Sequence, residues 1–205
     1  MMRFSMRSLV LSSAAALVLV GGGLVWLQDS SAALSSTFPP SGQRTTCNLN
    51  RDPFININGG PAIATASTGA ITATVGKVGK TSDGRDVAEL VVESTLTKGT
   101  VKGVGDLTIA NDTARSAASS LTANQAGRSF PATQVMQFFP VITINGETFT
   151  SSSAATLVNT SVPSFPAPAG TVYVLTNELT LKSEAGNTVT VQPGKAVTIT
   201  GSSSS

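Results

Sequence analysis

The sequence predicts an all-β chain built as a single antiparallel β-sandwich, jelly-roll-like, with about eight to ten strands and one short helix. Three observations predict it. Apolar and polar residues alternate with period two through most of the body, the β-branched residues Thr and Val recur throughout, and turn signals punctuate the chain at short, regular intervals.

Composition narrows the class further. The chain has 205 residues, of which 40% are hydrophobic, 12% charged and none histidine. With Arg3, Arg7 and Asp29 set aside in the presequence, eleven basic side chains face ten acidic ones, scattered singly. Nucleic acid and anionic membrane surfaces are therefore not expected partners, because both need clustered Lys and Arg.

The N-terminus reads as an export segment over 1–33. Arg3 and Arg7 precede an apolar run from Leu9 to Leu27, and Ser30, Ala32 and Ala33 supply small residues for a signal peptidase. A retained membrane anchor is the other reading, since the run is about the length of a bilayer span. Both put the remainder outside the cytoplasmic membrane. The stretch from Gly21-Gly22-Gly23 to Trp26, with Asp29-Ser30 and Thr37-Phe38, resembles the presequence junction of camelysin/TasA-type secreted β-sandwich fibre proteins, and the body carries no motif of that family.

Residues 34–61 read as an extended leader broken by Pro39-Pro40, Gly42, Pro53 and Gly59-Gly60, with one short strand at Phe54 to Ile57. The β-domain is expected over 62–201. Its first strand is Ile71 to Val78, and the turn Ser82-Asp83-Gly84-Arg85 returns the chain into Val87 to Thr97, where Ala88, Leu90 and Val92 share a face. A third strand follows over Thr100 to Ile109.

Between Thr113 and Ala126 the pattern changes. Ala114, Ala117, Ala118 and Leu121 fit a helical spacing, with Asn111 or Asp112 as cap and Gly127 as stop, so the short helix belongs here. Strands resume at Gln134 to Phe139. Asn145-Gly146 between Val141 to Ile144 and Thr148 to Thr150 is the signature of a type I′ hairpin. After a connection holding Pro163, Pro166 and Pro168 come strands at Thr171 to Leu175, Glu178 to Lys182, Thr188 to Gln192 and Ala196 to Thr200. A disordered tail is expected over 202–205.

Chemistry is excluded more readily than assigned. Without histidine there is no Ser-His-Asp or Cys-His arrangement and no imidazole metal ligand. No Ser-x-x-Lys, Gly-x-Ser-x-Gly or phosphate-loop motif occurs. Glu89 and Glu93 lie on one strand at a spacing of about 13 Å, too far apart for a glycosidase pair. Asp83 and Asp86 flank a turn and lack the ligand count of a calcium loop. No cofactor and no metal are expected, and the chain reads as non-catalytic, with a carboxylate-dependent hydrolase using acids from different strands as the remaining enzymatic alternative.

Three candidate features remain. Threonines at alternate positions share a face, so Thr72 and Thr74, Thr188 and Thr190, and Thr198 and Thr200 form small ranks suited to sugar or ice; Thr95 with Thr97 and Thr148 with Thr150 follow the same pattern. Cys47 is the lone cysteine and offers an intermolecular disulfide or an inert thiol. Phe138, Phe139 and Phe149 gather with Met136 around the central hairpin, as core packing, as a partner surface or as a small apolar pocket. The function expected from these features is an exported surface, matrix or adhesive module that engages a protein or surface partner or self-associates, touching membrane only through its N-terminal segment. The alternative is a binding module for sugar, ice or a small apolar ligand.

Overall fold

The computed structural model describes residues 37–205. The presequence expected over 1–33 lies outside the described residues. Fourteen strand segments form one antiparallel sheet. In chain order they make eight columns, each an up or a down pass of the chain. The first column is β1 (Arg44–Arg51) with β2 (Phe54–Ile57); the next two are the unbroken strands β3 (Ile63–Lys80) and β4 (Asp86–Val101). The fourth is β5 (Gly105–Asn111) with β6 (Ser119–Gln125), and the fifth β7 (Arg128–Phe138) with β8 (Pro140–Ile144). The last three are β9 (Glu147–Ser151) with β10 (Ala155–Val162), β11 (Val172–Leu175) with β12 (Leu179–Lys182), and β13 (Thr188–Val191) with β14 (Gly194–Ser204).

Each column pairs with the next in sequence, and the last pairs with the first through β1–β14 and β2–β13. The connectivity is therefore up-and-down, and the sheet is closed into a barrel. Opposite walls pack over a shared core as the layers of a sandwich do, and the sheet continues around both sides. Closure leaves no column with an unpaired edge.

Alternation sorts the side chains. Along β1, Leu49 and Arg51 are buried while Asn48 and Asn50 are exposed; along β13 and β14, Val189, Val191, Val197 and Ile199 are buried. Apolar residues inside and Thr and Asn outside are the inverse of a membrane barrel, whose lipid face is apolar. The main core includes Leu49, Ile55, Ile71, Phe138, Phe149, Leu157, Tyr173 and Leu181. A second cluster fills one end: Val75, Ala88, Leu90, Leu121, Ala132 and Phe165, with Phe38 and Phe130 packed against it. The Pro-rich connection thus turns inward at Phe165 and plugs that end.

Six columns break at mid-height, three of them beside Pro53, Pro140 and Pro193, which cannot donate to a ladder. The β3–β4 pair runs through unbroken, and its strands approach so closely that a Cβ on Gly99 would lie 1.9 Å from the Ala66 carbonyl oxygen and one on Gly69 2.0 Å from that of Leu96. Only residues without a side chain permit that approach.

Several expectations are corrected. No helix occurs among the described residues: 119–125 is strand β6, and 112–118 is a loop between the two halves of a column. Of the helical stripe, Leu121 is taken into ladder pairing with β4 and β7, while Ala114, Ala117 and Ala118 lie in the loop. The expected leader over 34–61 contains β1 and β2, the column that closes the barrel. The expected tail over 202–205 is strand as far as Ser204, with Ser202, Ser203 and Ser204 opposite Cys47, Thr46 and Thr45. The Asn145-Gly146 hairpin forms as its sequence predicts, with φ of 50° and 85°.

Candidate functional site

The barrel core holds a cavity of about 50 Å³ near mid-height. Its exposed surface is apolar throughout, with Ile55, Leu107, Ile142, Leu157, Leu179 and Val191 among the lining residues, and Thr65 and Arg51 border it without presenting a polar atom to it. Thr65 Oγ1 donates to the Pro53 carbonyl at 2.7 Å. Arg51 is the one charged residue on this wall.

Arg51 is placed there by strand period. It ends β1 on the inward face, in register with Ser67 of β3 and Val197 of β14, and only 4% of it is exposed. Nη2 donates to Thr95 Oγ1 at 2.6 Å, and the guanidinium lies 5.1 Å from the Phe138 ring centroid. Nε is buried with no hydrogen-bond partner among the described residues. Burial pulls the Arg51 pKa down to about 10, which still leaves a cation at neutral pH.

No carboxylate compensates it. Asp52 is adjacent in sequence, but alternation turns it outward, where it is exposed. None of the ten acids among the described residues is buried. Glu93 pairs at the surface with Arg44 at 2.8 Å, Asp86 with Lys80 at 2.6 Å, and Asp83 with Arg85 at 2.7 Å. The hydrogen bond from Thr74, then that from Arg44, holds the Glu93 carboxyl below its ordinary range. No cluster of three potential metal ligands occurs among the described residues.

The wall beside Arg51 differs from the rest of the interior. Thr95 is 2% exposed and Thr97 0%, so both point inward and not to solvent as their alternation with the outer ranks suggests. A register shift between Thr72 and Ala73 makes β4 gain a residue near Glu93, which exchanges its two faces from there onward. Ser67 Oγ donates to Thr97 Oγ1 at 3.3 Å, and Asn111 Oδ1 accepts the Thr95 backbone N–H at 2.7 Å, which fixes this stretch of β4.

The threonine ranks lie on one outer wall. Thr188, Thr190, Thr198 and Thr200 run along the β13–β14 column, and Thr72 and Thr74 lie two columns away on β3, with β1 between them. Thr72 is 8% exposed and shares a hydrogen bond with Thr46, while Thr74 bonds Glu93. The wall is interrupted by Asn50, which stands opposite both Thr198 and Thr68. Cys47 packs against the interior cluster, and burial pushes its thiol up to about 11.

Phe138 and Phe149 are buried with Met136, whereas Phe139 faces out under Arg115, whose guanidinium carbon lies 3.5 Å from its ring centroid. The pocket reading of this aromatic group is met at Phe138, which lines the cavity. Arg51 was concealed in the sequence by its place in an apparently extended, Pro-punctuated leader. The inward series Thr45, Cys47, Leu49 and Arg51 is the signal that marks it.

No family model and no curated protein matches the chain. Among solved structures it is similar to DynF from the dynemicin biosynthesis pathway of Micromonospora chersina, with a TM-score of 0.70 and 14% sequence identity over 84% of this chain and 86% of that chain. At that identity the likeness is one of fold.

Proposed function

We propose that the barrel is a non-catalytic binding module that holds a small, mainly apolar molecule in its interior. The observation that carries this reading is the apolar cavity of about 50 Å³ in the core. An eight-stranded barrel has an interior just wide enough to be packed by side chains or to hold one small ligand, and this one does most of the former while leaving room for the latter. The space exceeds the roughly 10–15 Å³ one water needs and falls short of the ~150 Å³ that accommodates benzene. The ligand, or the part of it held here, is a group of a few heavy atoms. At about −1.5 kcal/mol per heavy atom at best, a four-atom occupant reaches roughly −6 kcal/mol, a Kd of tens of micromolar.

Titration of the full chain with C2 to C6 alcohols and acids, followed by thermal shift and NMR, tests this reading. Ala155 lines the cavity; Ala155→Leu fills it and is expected to abolish saturable binding while the fold is retained, with Ala155→Val as the milder variant. Saturable binding that survives both replacements, or no binding by any probe, overturns the reading.

A surface or adhesive role in the exported setting expected from the N-terminal sequence is a second reading. It draws on outward-facing apolar residues, with Phe54 55%, Val91 52% and Leu96 50% exposed. Because closure removes free strand edges, such contacts would be made by side chains and not by strand addition. Sedimentation of the wild type against Phe54→Ser and Leu96→Ser tests it: concentration-dependent association that the variants lose supports the role, and a monomer throughout removes self-association.

A further inference from the structure

We infer that the apolar ligand enters the interior through a window in the barrel wall beside β4, with Phe138 as the gate between the window and the cavity. This rests on the interior-binding reading and names the route to its site. The ladder between β4 and β6 ends at the Leu90–Ser119 pair, and the ladder between β4 and β5 starts only at Leu96–Ala110. Residues 91–95 of β4 therefore have no strand beside them on that side. Asn111 Oδ1 accepts the Thr95 N–H at 2.7 Å, and Val91, between the two ladders, is left 52% exposed.

A groove of about 530 Å³ occupies this gap. Five consecutive residues of β4, Glu89 to Glu93, line it, although neighbours along a strand face opposite sides of the wall. Leu90 is buried in one interior cluster and Val92 packs against the other, whereas Glu89 and Val91 are exposed, so the groove follows the bare edge of the strand from the outer face to the inner one. Its far bank is the loop 112–118. Arg115 draws that loop over Phe139 to the carbonyls of Ser151 and Ser152, two columns away on the side opposite β4, and the window is thereby held open. Phe138 lines both this groove and the interior cavity, whereas the two grooves beside Lys182 share no residue with the cavity. It stands at the end of β7, where its own strand breaks, and a change of rotamer at this one side chain joins the two spaces.

The test uses the full chain and trifluoroethanol, with ¹⁹F exchange NMR reading kon and koff separately. Val91→Trp and Ala118→Trp replace exposed residues of the groove that are no part of the cavity wall. Each is expected to slow association and dissociation together by about tenfold with Kd unchanged, the signature of a narrowed passage and not of an altered site. Thr148→Trp, in a groove beside Lys182, is expected to change neither rate. Phe138→Leu is expected to raise kon by about threefold or more, since a smaller side chain leaves the passage wider. Rates that Val91→Trp and Ala118→Trp leave unchanged overturn the window, an unchanged kon in Phe138→Leu overturns the gate, and in both cases the interior-binding reading stands. No saturable binding of trifluoroethanol to the wild type overturns the route and the interior site together.

Discussion

The guanidinium carbon of Arg51 stands 5.1 Å from the ring centroid of Phe138, on the fifth of eight columns, directly across the barrel from the first. A cation in this position spans the interior between opposite walls without an acid to meet it. Burial pulls its pKa from the ordinary arginine value down to about 10, which corresponds to roughly 3 kcal/mol against carrying the charge at neutral pH. The bond to Thr95 and the contact with Phe138 return part of this. The net is a residue whose burial costs the empty barrel stability.

Arg51→Met is therefore expected to leave the ligand-free chain as stable as the wild type or more stable by about 1–3 kcal/mol, because replacing an uncompensated buried charge with an apolar side chain of similar length is neutral or favourable. Urea unfolding monitored by circular dichroism measures it. A loss above 2 kcal/mol would identify Arg51 as a structural strut instead.

The pH dependence follows from the same group. The folded-state pKa of Arg51 lies below its unfolded value, so above about pH 10 the unfolded chain retains a proton that the native chain has released. There this residue makes stability rise with pH. Urea unfolding from about pH 8 to about pH 11 is expected to show the wild type gaining stability relative to Arg51→Met above about pH 10.

Gly99→Ala is expected to destabilise by about 3 kcal/mol or more, since its Cβ would meet the Ala66 carbonyl oxygen at 1.9 Å and the Ser67 Cα at 2.5 Å, both backbone atoms of the paired strand. Gly103→Ala, at a turn with open space around it but a φ of +72°, carries only the conformational cost of about 1 kcal/mol. Denaturation midpoints of the two variants separate close approach from backbone strain.

Deleting residues 202–205 is expected to lower stability by about 2 kcal/mol and to speed amide exchange at Arg44, which donates to the Ser205 carbonyl, and at Thr46, the next residue of β1 whose N–H points to β14. A free tail would make the same deletion silent. Hydrogen exchange by mass spectrometry resolves the two outcomes.

Arg115→Ala tests the loop that stands where a helix was expected. Arg115 donates to the carbonyls of Ser151 and Ser152 at 2.6 and 2.9 Å while covering Phe139. Losing that clamp is expected to cost about 1–2 kcal/mol and to raise exchange over 112–118 before the barrel unfolds.

Local patterning was enough for the all-β class, for the hairpins at Ser82 to Arg85 and Asn145-Gly146, and for most strand positions, because period-two burial and positive-φ turn residues are written over a few residues each. It was also enough to set Phe138 and Phe139 on opposite faces. What it could not supply is pairing between distant parts of the chain. Leu121 fits a helical stripe as well as a strand, and only ladders with β4 and β7 decide between them. Thr95 and Thr97 resemble the outer threonines until the extra residue near Glu93 turns them inward. Arg51 carries the candidate site, and its sequence neighbourhood says only that it alternates with Asn50 and Asp52. That its face of the strand is the inside, closed off from water, is decided by β14 and β3 arriving on either side of β1, a long-range event that burial of the whole core drives and no local spacing records.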